Sequence, residues 1–369
     1  MLGNGLGDAL GRSVLGASRV FDLFSGSAAV AWHVAQRHGK EVIACDLQQY
    51  SMVIAAAVIE RTDVITDFGW VDKWFRSARA RISGHRNWSE LKSHQASLRK
   101  VDVCDVADQA RAFDLGNNYP ISKAYGGHYF SPMQSAWIDA LRVSLPAEPA
   151  YRNVALAALI QAASRCAASP GHTAQPFKPN DTAGPFLLEA WQRDVPSIVI
   201  ARLKDIAPRV AKIRGKAHCS DALEIADRAR VGDLAFVDPP YSGVHYSRFY
   251  HVLETVARGR VGEVSGIGRY PPADERPSSS FSIKTQSEKA FNELLKVLSG
   301  RGASVIITFP ANEASNGLSG DDVKRLASEH FWIEEEKVSS RFSTLGGDTK
   351  HRAARQDADE LILTLSASR

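Results

Sequence analysis

The pattern of hydrophobic and polar positions predicts alternating strands and helices. The pattern predicts strands at residues 20–24, 41–46, 217–221, 234–237, 303–309, 331–340 and 360–366. Those at 20–24, 234–237 and 303–309 are apolar runs that we expect to be buried. Segments with helical spacing predict helices at residues 29–37, 47–60, 132–144, 151–168, 246–258, 287–298 and 321–329. Strands that alternate with helices are typical of a mainly parallel α/β sheet. The last two strands, joined by the basic loop Arg341–Arg355, are expected to form an antiparallel hairpin at the edge of the sheet.

The middle of the chain has a different character, and it predicts an insertion. We expect residues 61–205 to be mostly helical and to interrupt one sheet domain formed by residues 1–60 and 206–369. Within the insertion, residues 101–120 are acidic and predicted to be irregular, and residues 125–130 to be a loop. Residues 169–185 are rich in Pro, Gly and Thr, which is typical of a long functional loop.

Composition limits the classes of protein to consider. The chain has 369 residues, of which 44% are hydrophobic, so it can bury a large core. Its net charge is only +4, so an argument for nucleic-acid binding depends on local clusters. The four cysteines are far apart and form no CxxC pair, which argues against a disulfide framework or a thiolate zinc site and fits a reducing compartment. We expect no metal ligands. The sequence shows no signal peptide and no apolar run of membrane-spanning length, so we expect a cytoplasmic protein without membrane contact.

The stretch Leu234–Tyr241, LAFVDPPY, is the most specific motif. A buried strand ends there on an acid, two prolines and a tyrosine. Pro239 and Pro240 cannot donate backbone hydrogen bonds, and they favour an extended, rigid turn that displays Asp238 and Tyr241 at the carboxyl edge of the sheet. A carboxylate beside an aromatic face suits a flat ring that carries an amine, such as an adenine flipped out of a nucleic acid.

A second motif predicts half of a nucleotide-binding unit. The strand at residues 20–24 is followed by the small residues Ser25–Ala28, a helix, and a strand that ends at Asp46, about 20 positions after Gly26. Small residues let a ligand approach the backbone, and Asp46 is placed to bind ribose hydroxyls. Without a full GxGxxG, the motif favours an adenosine cofactor that lacks a pyrophosphate, such as S-adenosylmethionine. The alternative is that Gly26 only forms a tight turn and Asp46 caps the next helix.

Two basic runs suggest contact with nucleic acid. Residues 73–100 hold eight Lys or Arg against one acid, interleaved with Trp74, Phe75 and Trp88, and a second run covers residues 202–216. Such composition suits a phosphate backbone and unstacked bases, whereas the alternative is a solvated helix with its aromatic side chains in the core. The candidate DNA-binding residues are Lys73, Arg76, Arg79, Arg81, Arg86, Lys178 and Tyr246.

Taken together, DLFSGSAAVA, VDPPY and the strings GGHYFSPMQSAWIDALR and YSRFYHVLETVARG resemble the DNA adenine-N6 methyltransferases of the Dam and DpnM type. The resemblance implies a seven-stranded Rossmann-like sheet with an antiparallel last strand, S-adenosylmethionine as the methyl donor, and double-stranded DNA as the partner. It also implies that residues 61–205 recognise the DNA sequence, and it leaves room for partner subunits of a restriction or phage-defence system.

The resemblance assigns roles to individual residues. Asp238, Pro239, Pro240 and Tyr241 would be catalytic and hold the target base; Phe24, Ser25, Gly26, Ser27, Asp46, Asp221 and Ala222 would bind the cofactor. The chain departs from the family where Ala28 replaces a second glycine and where Leu2-Gly3-Asn4 is followed by Gly5 rather than lysine. The alternatives are an RNA adenine-N6 methyltransferase, a cytosine amine methyltransferase, which more often has serine in place of Asp238, and a weakly catalytic DNA-binding or assembly subunit.

Overall fold

The computed structural model of the chain describes residues 5–98, 102–243, 245–342 and 356–367. The chain divides into two compact units. The sheet unit comprises Met1–Leu47, Ala211–His245 and Ser278–Arg369, and the helical unit comprises Gln48–Val210 and Tyr246–Pro277. The N-terminal motif at residues 2–4 and most of the predicted basic loop, residues 343–355, lie outside the described residues.

Within the described ranges the sheet unit contains one seven-stranded sheet. Its strands are β1 Arg19–Asp22, β2 Glu41–Asp46, β3 Lys216–Cys219, β4 Leu234–Val237, β5 Ser304–Pro310, β6 Phe331–Phe342 and β7 Gln356–Ala367. Their order is β3-β2-β1-β4-β5-β7-β6. The first five strands are parallel, and β7 runs antiparallel to both β5 and β6. The predicted Rossmann-like sheet with its antiparallel edge hairpin is therefore confirmed.

The α-helices of the described ranges are distributed over both units. In chain order they are α1 Leu6–Gly16, α2 Ala29–His33, α3 Gln49–Ile59, α4 Gly69–Ser83, α5 Trp88–Ser97, α6 Val103–Arg111, α7 Pro120–Tyr125, α8 Pro132–Val143, α9 Pro149–Cys166, α10 Gly184–Trp191, α11 Val195–Ile206, α12 Ala222–Ala226, α13 Ser247–Arg258, α14 Ser287–Gly300 and α15 Gly320–Ser328. A π-helical turn, Val34–His38, continues α2.

The centre of the sheet is buried, which explains why its strands are continuous apolar runs. All four residues of β4 are buried, and β4 lies between β1 and β5. Helices α12, α14 and α15 contribute side chains such as Ile225, Phe291 and Val323 to the same core as Phe21 and Ile307. This packing fixes the positions at which the parallel strands end.

The helical unit includes two segments that the sequence pattern assigned to the sheet domain. Helix α3 is buried from Tyr50 to Ile59 and contacts α9 and α13, because its apolar surface extends around the whole helix. The segment Tyr246–Pro277, which begins with α13, also belongs to this unit. The helical unit thus runs from Gln48 to Val210, whereas the sequence pattern placed the insertion at residues 61–205, and it also includes Tyr246–Pro277.

The prediction of irregular structure between residues 101 and 120 is wrong in part, because residues 103–111 form α6. Asp102 caps this helix by accepting hydrogen bonds from the amides of Cys104 and Asp105. Val106 and Ala110 lie on its buried face. The acidic residues that suggested a loop are in fact the cap and the solvent face of an amphipathic helix.

None of the helices in the described ranges combines the length and the hydropathy needed to cross a membrane.

Candidate active site

The carboxyl ends of β1, β2, β3 and β4 lie side by side and bring the predicted site residues to one edge of the sheet. Asp22, the last residue of β1, is paired in register with Ala44 of β2 and Phe236 of β4. Asp46, the last residue of β2, is paired with Cys219 of β3. The predicted cofactor-binding and catalytic residues therefore follow neighbouring strands, as expected for a ligand site in an open α/β sheet.

The turn after β1 is held by its neighbouring strand. The amide of Ser25 donates to the carbonyl of Cys45 at 3.0 Å, and the amide of Gly26 donates to Oδ2 of Asp46 at 3.0 Å. Gly26 has a φ of 49°. The alternative interpretation is thus half right: Gly26 does form a tight turn, but the N-cap position of α3 belongs to Gln48 rather than to Asp46.

Ala28, which stands where the resemblance predicts a second glycine, adopts the left-handed conformation with a φ of 61°. It is the N-cap residue of α2 and fully buried. A side chain in this region costs about 1–2 kcal/mol relative to the right-handed conformation. The backbone therefore keeps the geometry that suits glycine, and the alanine is strained.

Asp238 lies directly after β4 and is held by the neighbouring strand β5. The hydroxyl of Thr308 donates to its Oδ1 at 2.9 Å, and Thr308 is itself buried. The pKa of Asp238 is raised to about 7, mainly by burial. The hydrogen bond from Thr308 lowers this pKa, whereas the negative charge of Glu360 raises it further. A carboxyl group that titrates near neutral pH is suited to a catalytic role.

Asp22 is a second buried carboxyl group at this edge, and the sequence pattern did not single it out. Its Oδ2 accepts the amide of Ala31 at 3.2 Å, whereas its Oδ1 is buried and has no hydrogen-bond partner among the described residues. Burial raises the pKa of Asp22 to about 7, and the charges of Asp238 and Asp46 contribute to the rise. Two carboxyl groups, at the ends of β2 and β4, therefore act on the pKa of the buried carboxyl group at the end of β1.

The turn formed by the two prolines is clamped by Asn316, which is 1% exposed. The side-chain amide of Asn316 donates to the carbonyl of Pro240 at 3.2 Å and to that of Phe281 at 3.0 Å. Its backbone amide donates to the carbonyl of Tyr241 at 3.3 Å. The next part of the turn is held as well, since the amide of Gly243 donates to the hydroxyl of Ser315 at 2.9 Å.

Two aromatic side chains of the site pack against the core of the sheet unit. Phe24 and Tyr241 are both partly buried against it, and the ring of Phe24 lies edge-on to Phe281 with centroids 5.0 Å apart. Both residues keep part of their surface accessible, and both follow strands that end at the edge where Asp238 lies. A ring that is fixed on one side by packing can stack on a ligand with little loss of side-chain entropy.

Asp221 and Ala222 lie just after β3, beside Asp46. Asp221 caps α12, because its Oδ1 accepts the amide of Leu223 at 2.9 Å. Ala222 is buried. The amide of Ser220 donates to the carbonyl of Asp46 at 3.2 Å, which ties the end of β3 to the end of β2.

The candidate DNA-binding residues all belong to the helical unit. Lys73, Arg76, Arg79 and Arg81 are exposed on α4, Arg86 and Lys178 are exposed on loops, and Tyr246 is the N-cap residue of α13. Trp74, by contrast, is 2% exposed and its indole donates to the carbonyl of Leu141. The basic side chains are thus accessible, whereas Trp74 belongs to the core and is unable to stack on a base.

Sequence reasoning missed Asp22, Thr308 and Asn316. Thr308 had a signal, since it is a polar residue between the apolar residues Ile307 and Phe309 of β5. Asp22 also had one, because it lies two positions before Phe24 at the end of a buried strand. Asn316 had none, because its contacts join segments that are distant along the chain. Among the described residues no cluster of His, Cys, Asp and Glu could hold a metal ion.

Comparison with known proteins gives a consistent picture. The family model for D12 class N6 adenine-specific DNA methyltransferases matches residues 8–75 and 160–305. The type II methyltransferase M.FokI of Planomicrobium okeanokoites is 25% identical over 285 residues, which cover 74% of this chain and 38% of that protein. The modification methylase LlaI of Lactococcus lactis subsp. lactis is 37% identical over 65 residues, which cover 18% of this chain and 10% of that protein. The chain thus spans well under half the length of either relative.

Proposed function

Because the chain belongs to the D12 class of N6 adenine-specific DNA methyltransferases, we propose that it transfers a methyl group from S-adenosylmethionine to the N6 amine of an adenine flipped out of double-stranded DNA. The observation that carries this proposal is the position of Asp238, Pro239, Pro240 and Tyr241 at the same sheet edge as the turn Phe24–Ser27. A site for the acceptor base would thereby lie beside a site for the donor.

The residues at the end of β1 fit the proposed cofactor. A side chain at Gly26 would meet no atom nearer than 4.0 Å, so the space above the turn is open. The buried Oδ1 of Asp22 lacks a partner among the described residues and can accept a hydrogen bond from a ligand. Phe24, Ser25, Gly26 and Ser27 would line the cofactor, Asp46 would hold its ribose, and Asp221 and Ala222 would lie near its adenine. When bound, S-adenosylmethionine supplies an electrophilic methyl group on a sulfonium.

The chain's own residues would activate and orient the acceptor. The N6 lone pair of adenine is delocalised into the ring, so methylation requires that it be localised and aimed. The Asp238 carboxylate and the Pro239 carbonyl would accept the two amine hydrogens and favour a tetrahedral nitrogen. Asp238 or solvent would then take the proton that the amine loses. Tyr241 would stack on the base, which is worth about 1–3 kcal/mol.

We assign recognition of the DNA to the helical unit, on the basis of its exposed basic residues. Lys73, Arg76, Arg79, Arg81, Arg86 and Lys178 would contact phosphates, and Tyr246 would lie near the extruded base. The family model leaves residues 76–159 unmatched, which suits a region that differs with the sequence recognised. By analogy with the two relatives, we propose that the protein modifies cellular DNA in the cytoplasm as part of a restriction-modification system, with or without partner subunits.

The variant Asp238→Ala tests the proposal. It should keep its affinity for S-adenosylmethionine in calorimetry but lose transfer of a tritiated methyl group to duplex DNA. Asp227→Ala is a matched control, because Asp227 is an exposed acid of the same unit that pairs with Arg301. Near-normal transfer by Asp238→Ala would refute the assignment.

Parallel assays with RNA and with DNA lacking adenine separate the alternatives. Transfer to RNA alone would favour an RNA adenine methyltransferase, and transfer to DNA without adenine would favour a cytosine amine as the acceptor. Absence of cofactor binding by the wild-type protein at high micromolar concentration would favour a DNA-binding or assembly subunit, for which the strained Ala28 is the motivating observation.

A further inference from the structure

We propose that Arg248 and Arg276, in the helical unit, form a binding site for a backbone phosphodiester of the DNA. The inference rests on the proposed action on DNA and names residues that the sequence pattern did not single out. Both guanidinium groups lie against the ring of Tyr270, at 4.7 Å for Arg248 and 5.8 Å for Arg276. Two like charges thus converge on one small area of surface.

The Tyr270 ring that both guanidinium groups contact is held firmly. The hydroxyl of Tyr270 donates to the carbonyl of Ala174 at 2.7 Å, and its backbone forms a two-bond bridge with Ser265. An arginine that stacks on an aromatic face keeps its N–H groups at the edge of the guanidinium plane, free to donate. The packing therefore holds both guanidinium groups near the ring without using a hydrogen-bond donor of either arginine.

Neither arginine has a counter-charge among the described residues. No carboxylate in the described ranges lies within ion-pair distance of Arg248 or Arg276, and in those ranges Nε of Arg276 is buried without a hydrogen-bond partner. Two buried or partly buried acids of the same unit are already engaged. Glu254 pairs with Arg258 at 2.7 Å and accepts amides at the start of α3, and Glu275 accepts the amide of Gly262 at 3.0 Å. An anion from outside the chain would therefore be attracted to both guanidinium groups.

The start of α13, which carries Arg248, is anchored within the helical unit. The carbonyl of Phe249 accepts both the amide and the hydroxyl of Thr173, at 2.8 Å and 2.7 Å. The ring of Phe249 also lies 4.7 Å from that of His172. Arg248 is exposed and follows Tyr241 closely along the chain. A fixed, exposed and planar cation suits a phosphate, with which arginine forms two parallel hydrogen bonds.

The test measures the affinity of the full chain for a DNA duplex as a function of salt concentration, by fluorescence anisotropy. Each of Arg248→Gln and Arg276→Gln should weaken binding about tenfold and reduce the slope of log K against log salt by about 1. Arg248→Lys keeps the charge and should keep most of the slope. Arg228→Gln is the control that loses the same charge, because Arg228 is exposed and already paired with Glu224.

Several outcomes would overturn the site. Unchanged slopes in both glutamine variants, or no duplex binding by the wild-type protein, would do so. A third outcome combines two measurements on the wild type and on the double glutamine variant of Arg248 and Arg276. If inorganic phosphate raised the unfolding temperature of the wild type alone, while both proteins bound the duplex equally well, the site would bind free phosphate rather than DNA. Calorimetry with S-adenosylmethionine should give equal affinities for all variants. Since binding is measured without methyl transfer, loss of transfer alone would count against the proposed function and leave the phosphate site intact.

Discussion

Replacing Thr308 with valine should shift the pH dependence of methyl transfer. The hydroxyl of Thr308 donates to Oδ1 of Asp238 at 2.9 Å in a buried setting. An ionised carboxylate only accepts hydrogen bonds, so this contact stabilises the charged form of Asp238. Valine has nearly the shape of threonine but no hydroxyl. The substitution therefore removes the hydrogen bond and leaves most of the packing in place.

The size of the shift follows from the energy of the hydrogen bond. A hydrogen bond to a charged group is worth about 1.5–3 kcal/mol. Because one pKa unit corresponds to about 1.4 kcal/mol, the pKa of Asp238 should rise by about 1–2 units. Starting from a pKa of about 7, the ionised fraction at pH 7 would fall about fivefold to fiftyfold. Transfer at pH 7 should fall by the same factor and recover at higher pH.

The assay is the pH profile of kcat/KM for transfer to duplex DNA, which reports the ionisation of the free enzyme. The acid limb should move to higher pH in Thr308→Val, while Thr308→Ser, which keeps a hydroxyl, should resemble the wild type. Cofactor affinity at pH 9 serves as a check that the site is intact. A profile that keeps its midpoint in Thr308→Val, with only its height changed, would refute the idea that this hydroxyl sets the pKa of Asp238.

Three further predictions concern stability and the proline turn. Ala28→Gly should change the free energy of unfolding in urea by less than about 1 kcal/mol, because relief of the left-handed strain offsets the flexibility of glycine. The control Ala57→Gly, in α3, has no such strain to relieve and should lower the free energy of unfolding by about 1 kcal/mol or more. Equal losses in the two variants would contradict the prediction. Asn316→Ala leaves the carbonyls of Pro240 and Phe281 without this donor, so kcat should fall while the cofactor Kd measured by calorimetry stays near that of the wild type. A similar loss of kcat and of cofactor affinity would count against a role confined to the turn. The pKa of Asp22 is about 7 in the folded protein rather than 3.8, so the native state binds this proton more tightly and Asp22 lowers stability as pH rises from about 4 to 7. Asp22→Asn should therefore raise the unfolding temperature more at pH 8 than at pH 5, and an equal change at both would exclude the linkage.

The sheet and its order of elements were predictable because each signal was local. The apolar runs of β4 and β5 and the proline turn after Val237 are readable within a few residues. Parallel strands that alternate with helices then place Asp46 and Asp238 at one edge without knowledge of any contact. These are the parts of the site that depend on where strands end.

The parts that were missed depend on contacts between distant segments. Asn316 reaches Pro240 and Phe281, and neither its neighbours nor its spacing indicate such a role. Helix α3 was assigned to the sheet domain because it follows β2 directly, although its apolar surface extends all round. Helix α6 was missed because its cap and solvent face carry the acids of a typical loop. In each case tertiary packing decided what the local pattern left open.

The carboxyl groups at the sheet edge give the site a negative charge that neither motif shows alone. Asp22, Asp46 and Asp238 lie at the ends of three neighbouring parallel strands, and the charges of Asp46 and Asp238 both raise the pKa of Asp22. Such a cluster is unfavourable in the free protein, because each carboxylate disfavours ionisation of the others. A cation bound at this edge would oppose that effect and lower the pKa of Asp22. The sulfonium of the proposed donor carries such a charge, and loses it on transfer. If the proposed function is right, the carboxyl groups beside Asp22 would attract the charged donor more strongly than its neutral product.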